Sequence, residues 1–288
     1  MITGLDHFVL ICPDIEAGVA AYETIMGRAA DWRSVNDDDG TETALFRVGN
    51  TALELMAPAG GRPGRDGPVG KRLRDILDST GPGLASIAFA TADIDQTHRA
   101  LGRRGLAPSD ITAGSSADTP TGQAMNWRRF RCDDQATAGI RTFVIADRSV
   151  GLPTQAPAPG DVANLDHIVI NTPNPDRAAA LYGARLGLRL ALDRTAPEWN
   201  TRFLFFRTGG LTFEVVSRLD DTTAPTGEDT FYGLTWATDD IGAAHERLAR
   251  AGLNVSEVRT GRKPGSEVFT LRDGHLGVPT LFIAHAAR

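Results

Sequence analysis

"LDHFVL" at residues 5–10 and "LDHIVI" at residues 165–170 are two versions of one hexamer, and they determine how the chain is organised. Each is a short apolar run with β-branched residues, which is the pattern of a β-strand. Around these hexamers, residues 5–55 align with residues 165–215 without a gap. A match of this length within one chain indicates an internal repeat, so we expect two similar halves.

A second repeat divides each half again. "LASIAFATADIDQTHRALGRRGL" at residues 84–106 matches "FYGLTWATDDIGAAHERLARAGL" at residues 231–253. Each stretch is a strand pattern followed by a helix pattern, as in "DHFVLIC" followed by "PDIEAGVAAYETIMG". Three further extended runs complete a β-α-β-β-β unit. Because such a unit leaves one face of its sheet exposed, we expect an α+β fold in which four βαβββ modules pair into two cupped mixed β-sheets.

The boundaries between the halves follow from composition. Residues 149–164, "SVGLPTQAPAPGDVAN", are rich in proline and glycine and lack a periodic pattern, which predicts a linker. The first domain is then residues 1–148 and the second is residues 165–288. The first half also carries a longer loop at 57–83, in which "KRLRDIL" predicts a short amphipathic helix.

Composition and charge narrow the class of partner. The formal net charge is −6 and no block of lysine and arginine occurs, so neither nucleic acid nor an anionic membrane surface is an expected partner. No apolar run approaches the roughly 20 residues of a membrane helix, and the N-terminus lacks the pattern of a secretory signal. Cys12 and Cys132 are isolated, which favours reduced thiols. We therefore expect a cytoplasmic protein, monomeric or homodimeric, whose partner is a small molecule.

The patterns "LDHFVL…Y…G…ALEL" and "LDHIVI…LY…LG…FEVV" resemble the vicinal oxygen chelate superfamily. That superfamily includes glyoxalase I, extradiol dioxygenases, bleomycin and fosfomycin resistance proteins, and methylmalonyl-CoA epimerases. The resemblance covers nearly the whole chain outside the linker and the 57–83 loop. It implies a glyoxalase-like domain in each half, with a pocket on the concave side of each sheet.

The resemblance also implies where a metal would bind. In this superfamily the first strand of a module often offers a histidine and its last strand a glutamate. The matching residues are His7 and Glu54 in the first module and His167 and Glu214 in the third. These four are the candidate ligands of a divalent metal (Zn, Ni, Mn or Fe) that would hold adjacent substrate oxygens. Glu54 and Glu214 are also the candidate general bases.

The second and fourth modules depart from this pattern. Ser86 and Gly233 occupy the first-strand position, and Val144 and Phe282 fall near the last-strand position. None of the four is a good metal ligand. If odd modules pair with even ones, each cup then holds one His–Glu pair and two residues that cannot bind a metal. A complete four-ligand site would require the first and third modules to pair, and the missing ligands argue against ring-cleaving dioxygenase activity.

Two functions therefore remain open from the sequence. One is a metal-dependent lyase or isomerase that acts on a small oxygen-rich molecule. The other is a metal-free protein that sequesters a small molecule, as some resistance proteins of the superfamily do. In either case we expect Trp236, Ser86 and Phe282 to line the substrate pockets.

Overall fold

The computed structural model describes residues 1–60, 67–149, 156–272 and 275–286, and this part of the chain forms two eight-stranded mixed sheets. The strands of the first sheet are β1 (Ile2–Ile11), β2 (Trp32–Asn36), β3 (Thr41–Val48), β4 (Thr51–Pro58), β5 (Gly83–Thr91), β6 (Thr112–Ala117), β7 (Ala124–Arg131) and β8 (Thr142–Ala146). Those of the second are β9 (Asn164–Asn171), β10 (Arg189–Ala196), β11 (Thr201–Thr208), β12 (Leu211–Arg218), β13 (Thr230–Ala237), β14 (Arg259–Thr260), β15 (Glu267–Leu271) and β16 (Thr280–Ala284).

The helices lie between the first and second strands of the modules, with one exception. They are α1 (Ile15–Met26), α2 (Pro68–Thr80), α3 (Ile94–Arg103), α4 (Pro175–Ala178) and α5 (Ile241–Arg250). The exception is α2, which lies within the long loop of the first half. Helix α4 continues directly into a π-helical segment, Ala179–Arg185.

Helices α1, α3 and α5 each begin at an aspartate whose side chain accepts a backbone hydrogen bond. The side chain of Asp14 accepts a hydrogen bond from the backbone N–H of Ala17 at 2.8 Å. Asp93 and Asp240 each accept a bond from the N–H three residues further on, which satisfies a backbone donor at the start of α3 and of α5. Gly27 ends α1 with φ 83°, a left-handed conformation that glycine adopts without steric cost.

The strand order shows how the modules pair. The first sheet runs β2-β3-β4-β1-β5-β8-β7-β6, and the second runs β10-β11-β12-β9-β13-β16-β15-β14. In each sheet the first strands of two consecutive modules pair antiparallel, β1 with β5 and β9 with β13. Modules one and two therefore share one sheet and modules three and four the other. The predicted fold of four βαβββ modules in two cupped sheets is confirmed.

The two sheets pack against each other through their convex faces. Phe8 of β1 lies 5.9 Å from Trp236 of β13, and Phe89 of β5 lies 5.5 Å from Phe213 of β12, measured between ring centroids. All four rings are fully buried, and they belong to one continuous apolar core that includes residues of both halves. Each concave face consequently points away from the other half.

The segment between the halves is only partly described, because residues 150–155 lie outside the described residues, as do residues 61–66 of the long loop. The end of the predicted linker packs against both halves. The N–H of Val162 donates to the carbonyl of Met26 at 3.1 Å, and β9 begins at Asn164, one residue before the predicted start of the second domain. Among the described helices, none has the length and apolar character needed to cross a membrane.

Candidate functional site

The concave face of the first sheet, here called the first cup, holds the first predicted pair. His7 on β1 lies beside Glu54 on the adjacent strand β4, with 3.2 Å between His7 Nε2 and Glu54 Oε2. The two side chains are 14% and 16% exposed. The other ring nitrogen, Nδ1, lies 2.6 Å from Asp6 Oδ1. The histidine is therefore held between two carboxylates at the floor of the cup.

A bulge explains how two consecutive residues of a strand reach the same site. The register between β1 and β5 shifts between Leu5 and His7, so Asp6 has no cross-strand partner there. An unpaired residue at a β-bulge lets neighbouring side chains turn to one side of the sheet. Sequence reasoning did not single out Asp6 or its repeat Asp166, although both are part of the repeated hexamer.

An arginine stabilises the ionised carboxylates of the first cup. Arg148, just after β8, donates from Nε to Asp6 Oδ2 at 3.1 Å and also forms an ion pair with Asp6 Oδ1. Burial disfavours a charged His7, but its hydrogen bonds with Asp6 and Glu54 raise its pKa to about 9. Burial also disfavours ionised Glu54, but His7 and Arg148 bring its pKa below the usual value. At neutral pH this cup thus holds a fixed pair of opposite charges.

The concave face of the second sheet, here called the second cup, repeats the pair with different surroundings. His167 on β9 lies 3.2 Å from Glu214 on β12, between Nε2 and Oε2, and both side chains are 18% exposed. Nδ1 of His167 lies 2.7 Å from Asp166 Oδ1. Thr235 Oγ1 lies 2.8 Å from the same Nε2 that faces Glu214.

The outer partner of the aspartate differs between the cups. Where Arg148 binds Asp6, Asp166 Oδ2 instead meets Nε2 of His285 at 2.5 Å. Burial raises the pKa of Glu214, and the nearby His167 and Arg262 only partly oppose that shift. The two glutamates of the repeat therefore shift in opposite directions from the usual pKa, because the hydrogen bond with His7, helped by the charge of Arg148, stabilises ionised Glu54, whereas burial prevails at Glu214.

Helix α2 covers part of the first cup. Leu73 of α2 is buried in a small apolar cluster with Val9 and Ile11 of β1, and Met56 of β4 packs on the same cluster. Val9 lies beside Glu54 in the register of β1 and β4. The amphipathic helix predicted at "KRLRDIL" is thus present, and its apolar side lies on the floor of the cup.

The edges of the first sheet also approach each other. Trp32 Nε1 of β2 donates to Ser116 Oγ of β6 at 2.9 Å, and the N–H of Arg33 donates to Asp118 at 2.9 Å. Trp32 packs with Met125 in a second apolar cluster. These contacts join opposite edges, so the first sheet nearly closes into a barrel whose interior is occupied by its own side chains.

The second cup is more open. All but the last residue of its edge strand β10 are exposed. Residues 219–229, which connect β12 to β13 at the position of the long loop, contain turns and no helix. Its wall carries an aromatic row in which Phe203 and Phe205 stack at 6.0 Å and Trp199 meets Phe203 edge-on at 6.0 Å. Phe205 is the cross-strand partner of Glu214, so this row leads to the His167–Glu214 pair.

Val144 and Phe282 do not lie at the positions that the sequence predicted for them. Both are completely buried in the core behind the sheets. The preceding residue in each strand faces the cup instead. Phe143 pairs with Ala88, and Leu281 pairs with Thr235, on the cup side. A shift of one residue along a strand moves a side chain to the opposite face, which accounts for the difference.

The three predicted pocket residues are also separated by the fold. Trp236 is fully buried between the sheets, where it contacts Phe8, and Phe282 stacks on Phe269 at 4.8 Å in the core. Neither side chain faces a cup. Ser86 does lie on the cup side, as the cross-strand partner of Val9 in the first cup, but it is 6% exposed.

The donor set of neither cup fits the metal site implied by the superfamily. Each cup offers one histidine nitrogen and one glutamate, and the corresponding cup-facing residues of the paired module, Phe143 and Leu281, are apolar. Within the described residues there is no group of three or more His, Cys, Asp and Glu side chains placed to hold a metal ion. Two donors are well short of the set that holds a catalytic metal in proteins.

Two family models match the chain. One, described as a glyoxalase-like domain, matches residues 5–162, and the other, described as the glyoxalase/bleomycin resistance protein/dioxygenase superfamily, matches residues 166–269. Together they span both cups. No curated protein matches the chain.

Several solved structures share the fold at low sequence identity. A triple mutant of 4-hydroxymandelate synthase from Streptomyces coelicolor is 14% identical, with a TM-score of 0.67 over 100% of this chain and 94% of that one. A hypothetical protein from Staphylococcus aureus is 9% identical, with a TM-score of 0.62 over 98% of this chain and 100% of that one. A xylose isomerase-like TIM barrel/4-hydroxyphenylpyruvate dioxygenase fusion protein is 14% identical, with a TM-score of 0.59 over 100% of this chain and 49% of that one. Identities this low show a common fold alone.

Proposed function

We propose, from the premise that this chain belongs to the glyoxalase/bleomycin resistance protein/dioxygenase superfamily, that its second cup is the functional site. In that site a small oxygen-bearing molecule binds against the aromatic row, and Glu214 takes a proton from it with the help of His167. The reaction class is proton transfer at a carbon beside a carbonyl group, as an isomerase or lyase requires. The first cup has a structural role.

The observation that carries this proposal is the contrast between the two glutamates. Both lie 3.2 Å from a histidine. Glu54 lies at the floor of a cup that α2 partly covers, and its charge is neutralised by His7 and Arg148. Glu214 lies at the floor of an open cup, and its pKa is raised. A general base works best when its pKa approaches the working pH, which favours Glu214.

The hydrogen bonds of His167 allow a proton to move without rearrangement. Burial opposes ionisation of Asp166, but hydrogen bonds with His167 and His285 lower its pKa to about 2. An ionised carboxylate only accepts, so Nδ1 of His167 carries a proton that it donates to Asp166. Nε2 then faces both Glu214 and Thr235. The ionised carboxylate of Glu214 takes one proton from the ligand carbon and gives it up again when the product forms. The pair can therefore receive a proton from a ligand while Asp166 holds the ring in place.

The aromatic row supports a second candidate, in which the cup binds a ligand without changing it. Trp199, Phe203 and Phe205 form a continuous apolar surface suited to a flat molecule. On this reading the protein sequesters its ligand, and Glu214 contributes only a hydrogen bond. Both candidates place the ligand in the second cup, and they differ in whether Glu214 accepts a proton.

A pair of matched variants tests the proposal. The wild-type protein, Glu214→Gln and Glu54→Gln are mixed in D2O with a panel of small α-hydroxy- and α-oxo-carbonyl compounds. Binding is followed by ligand-observed NMR, and deuterium uptake at the carbon beside the carbonyl is followed by mass spectrometry. We expect catalysed exchange in the wild type and in Glu54→Gln and none in Glu214→Gln. Binding without exchange in all three proteins would support sequestration, and exchange lost only in Glu54→Gln would place the function in the first cup.

A further inference from the structure

A contact between an arginine and a tryptophan spans the mouth of the second cup. Arg262 lies in the turn between β14 and β15, and its guanidinium carbon is 4.1 Å from the ring centroid of Trp199. Trp199 ends the short 3-10 turn Pro197–Trp199, which follows β10. Because β10 and β14 are the two edge strands of the sheet, this pair bridges opposite sides of the cup.

The corresponding turn in the first half closes its cup by different means. There the turn after β6 carries Asp118, which accepts a bond from the N–H of Arg33, and Thr119, whose N–H donates to the carbonyl of Arg33 at 2.6 Å. Hydrogen bonds of the Arg33 backbone, one to the Asp118 side chain and one to the Thr119 backbone, thus join the edges of the first sheet. In the second half the corresponding turn carries Arg262, and the guanidinium group of Arg262 contacts the ring of Trp199 near the opposite edge.

The two arginines near the Trp199 ring differ in their partners. Arg194, the other arginine near the Trp199 ring, pairs with Glu198 at 2.9 Å. Arg262 forms no ion pair or hydrogen bond with any of the residues that the structure describes, and its side chain is exposed. A guanidinium stacked on a ring keeps its N–H groups free at its edge, and these match the two oxygens of a carboxylate.

Arg262 faces the same cup as Glu214, because it lies on the ring of Trp199, the outer member of the aromatic row. Its positive charge also lowers the pKa of Glu214. The aromatic row of Trp199, Phe203 and Phe205 runs along the wall between the arginine and the glutamate. The cup thus offers a cation at its mouth, flat apolar surface along its wall, and a proton acceptor at its floor.

We propose that the second cup recognises a flat, apolar ligand that carries a carboxylate or a comparable oxyanion, and that Arg262 binds this anionic group. The inference rests on the proposed function, since it takes the second cup as the ligand site. The anion lies at the mouth beside Arg262, the apolar body lies on the aromatic row, and the other end of the ligand reaches His167 and Glu214. Arg262 is in this way the residue that selects for charge.

Benzoate and benzamide test the inference, because they share one shape and differ in charge. Each is titrated into the wild-type protein, Arg262→Gln and Arg250→Gln, with the ring signals of His167 followed by NMR. Arg250 is an exposed arginine of α5, a helix whose buried residues pack in the core on the opposite face of the sheet, so its substitution is the matched control. Melting temperatures of the three proteins establish that each is folded.

We expect benzoate to bind the wild type more tightly than benzamide does. Arg262→Gln should raise the Kd of benzoate about tenfold or more, as the loss of a charged hydrogen bond does, and change that of benzamide less than about twofold. Arg250→Gln should change neither. Equal affinity for the two compounds, or an equal effect of Arg262→Gln on both, overturns the inference and leaves the proposed function standing. If neither compound moves the His167 signals in the wild type, the second cup is not the ligand site and both proposals fail.

Discussion

Glu214 lies 3.2 Å from His167, the same distance that separates Glu54 from His7 in the other half, yet the two carboxyl groups differ in proton affinity. Ionised Glu54 is stabilised by its hydrogen bond with His7 and by the charge of Arg148, whereas burial prevails at Glu214. Arg148 contacts the aspartate of the first cup, whereas His285 contacts that of the second. A duplicated pair has thus been placed in two electrostatic environments.

The first prediction concerns the stability of the two glutamate variants. Glu54→Gln removes a partner of the buried, charged His7, so we expect it to lower the free energy of unfolding by about 2 kcal/mol. Glu214→Gln removes a carboxyl group that burial already disfavours in its charged form, and we expect a smaller loss. Urea unfolding of both variants measures the difference. A larger loss in Glu214→Gln would contradict the assignment of a structural role to the first cup.

The second prediction concerns the pH dependence of stability. The pKa of His7 rises to about 9 in the folded protein, above the ordinary value near 6.5. Its charged form therefore stabilises the fold fully below pH 6.5, and this contribution is lost as the pH rises through 9. The free energy of unfolding should fall by on the order of 3 kcal/mol across that interval.

A variant isolates the contribution of His7 from that of other titrating groups. In His7→Gln the decrease between pH 6.5 and 9 should be much smaller than in the wild type, when both are measured by urea unfolding in the same buffers. Parallel curves for the two proteins would show that His7 is not the group responsible.

The third prediction concerns metal ions. Because each cup presents one histidine and one glutamate as donors, protein purified without a metal-binding tag should contain far less than one divalent metal per chain. Treatment with EDTA should leave its melting temperature unchanged, since no structural metal would be removed. Elemental analysis and calorimetry provide the two measurements. A tightly bound metal at one per chain would contradict this prediction, because it would require ligands in addition to the histidine and glutamate of a cup.

The fourth prediction concerns the helix over the first cup. Leu73→Ala removes the buried side chain through which α2 packs on Val9 and Ile11, so it should cost about 2–3 kcal/mol of stability. The control is Leu219→Ala, since Leu219 is 50% exposed and its loss should be nearly neutral. Thermal unfolding distinguishes them. Equal and small effects in both variants would show that α2 contributes little to the first cup.

Much of the fold was predictable from the sequence because its signals are local. The repeated hexamers, the aspartates that begin α1, α3 and α5, and the alternation around Glu54 and Glu214 each depend on residues close together in the chain. Those patterns predicted four modules in two sheets and placed one His–Glu pair in each cup. Their roles in binding and chemistry remain predictions, as do the domain boundaries at 148 and 165.

The remaining features depended on contacts between residues far apart in the chain. A shift of one residue in β16 decided that Phe282 lies in the core and Leu281 faces the cup. Trp236 is buried in the core because the two sheets pack through their convex faces. The sequence of a single strand does not show this packing. Helix α2 covers one cup, and Arg262 meets Trp199 across the mouth of the other, although 63 residues of chain separate that pair. The sequence by itself determined that the His–Glu pair occurs twice, because the repeat can be seen along the chain. Only tertiary packing decided that the two copies differ, because it places α2 over the first cup and Arg262 at the mouth of the second.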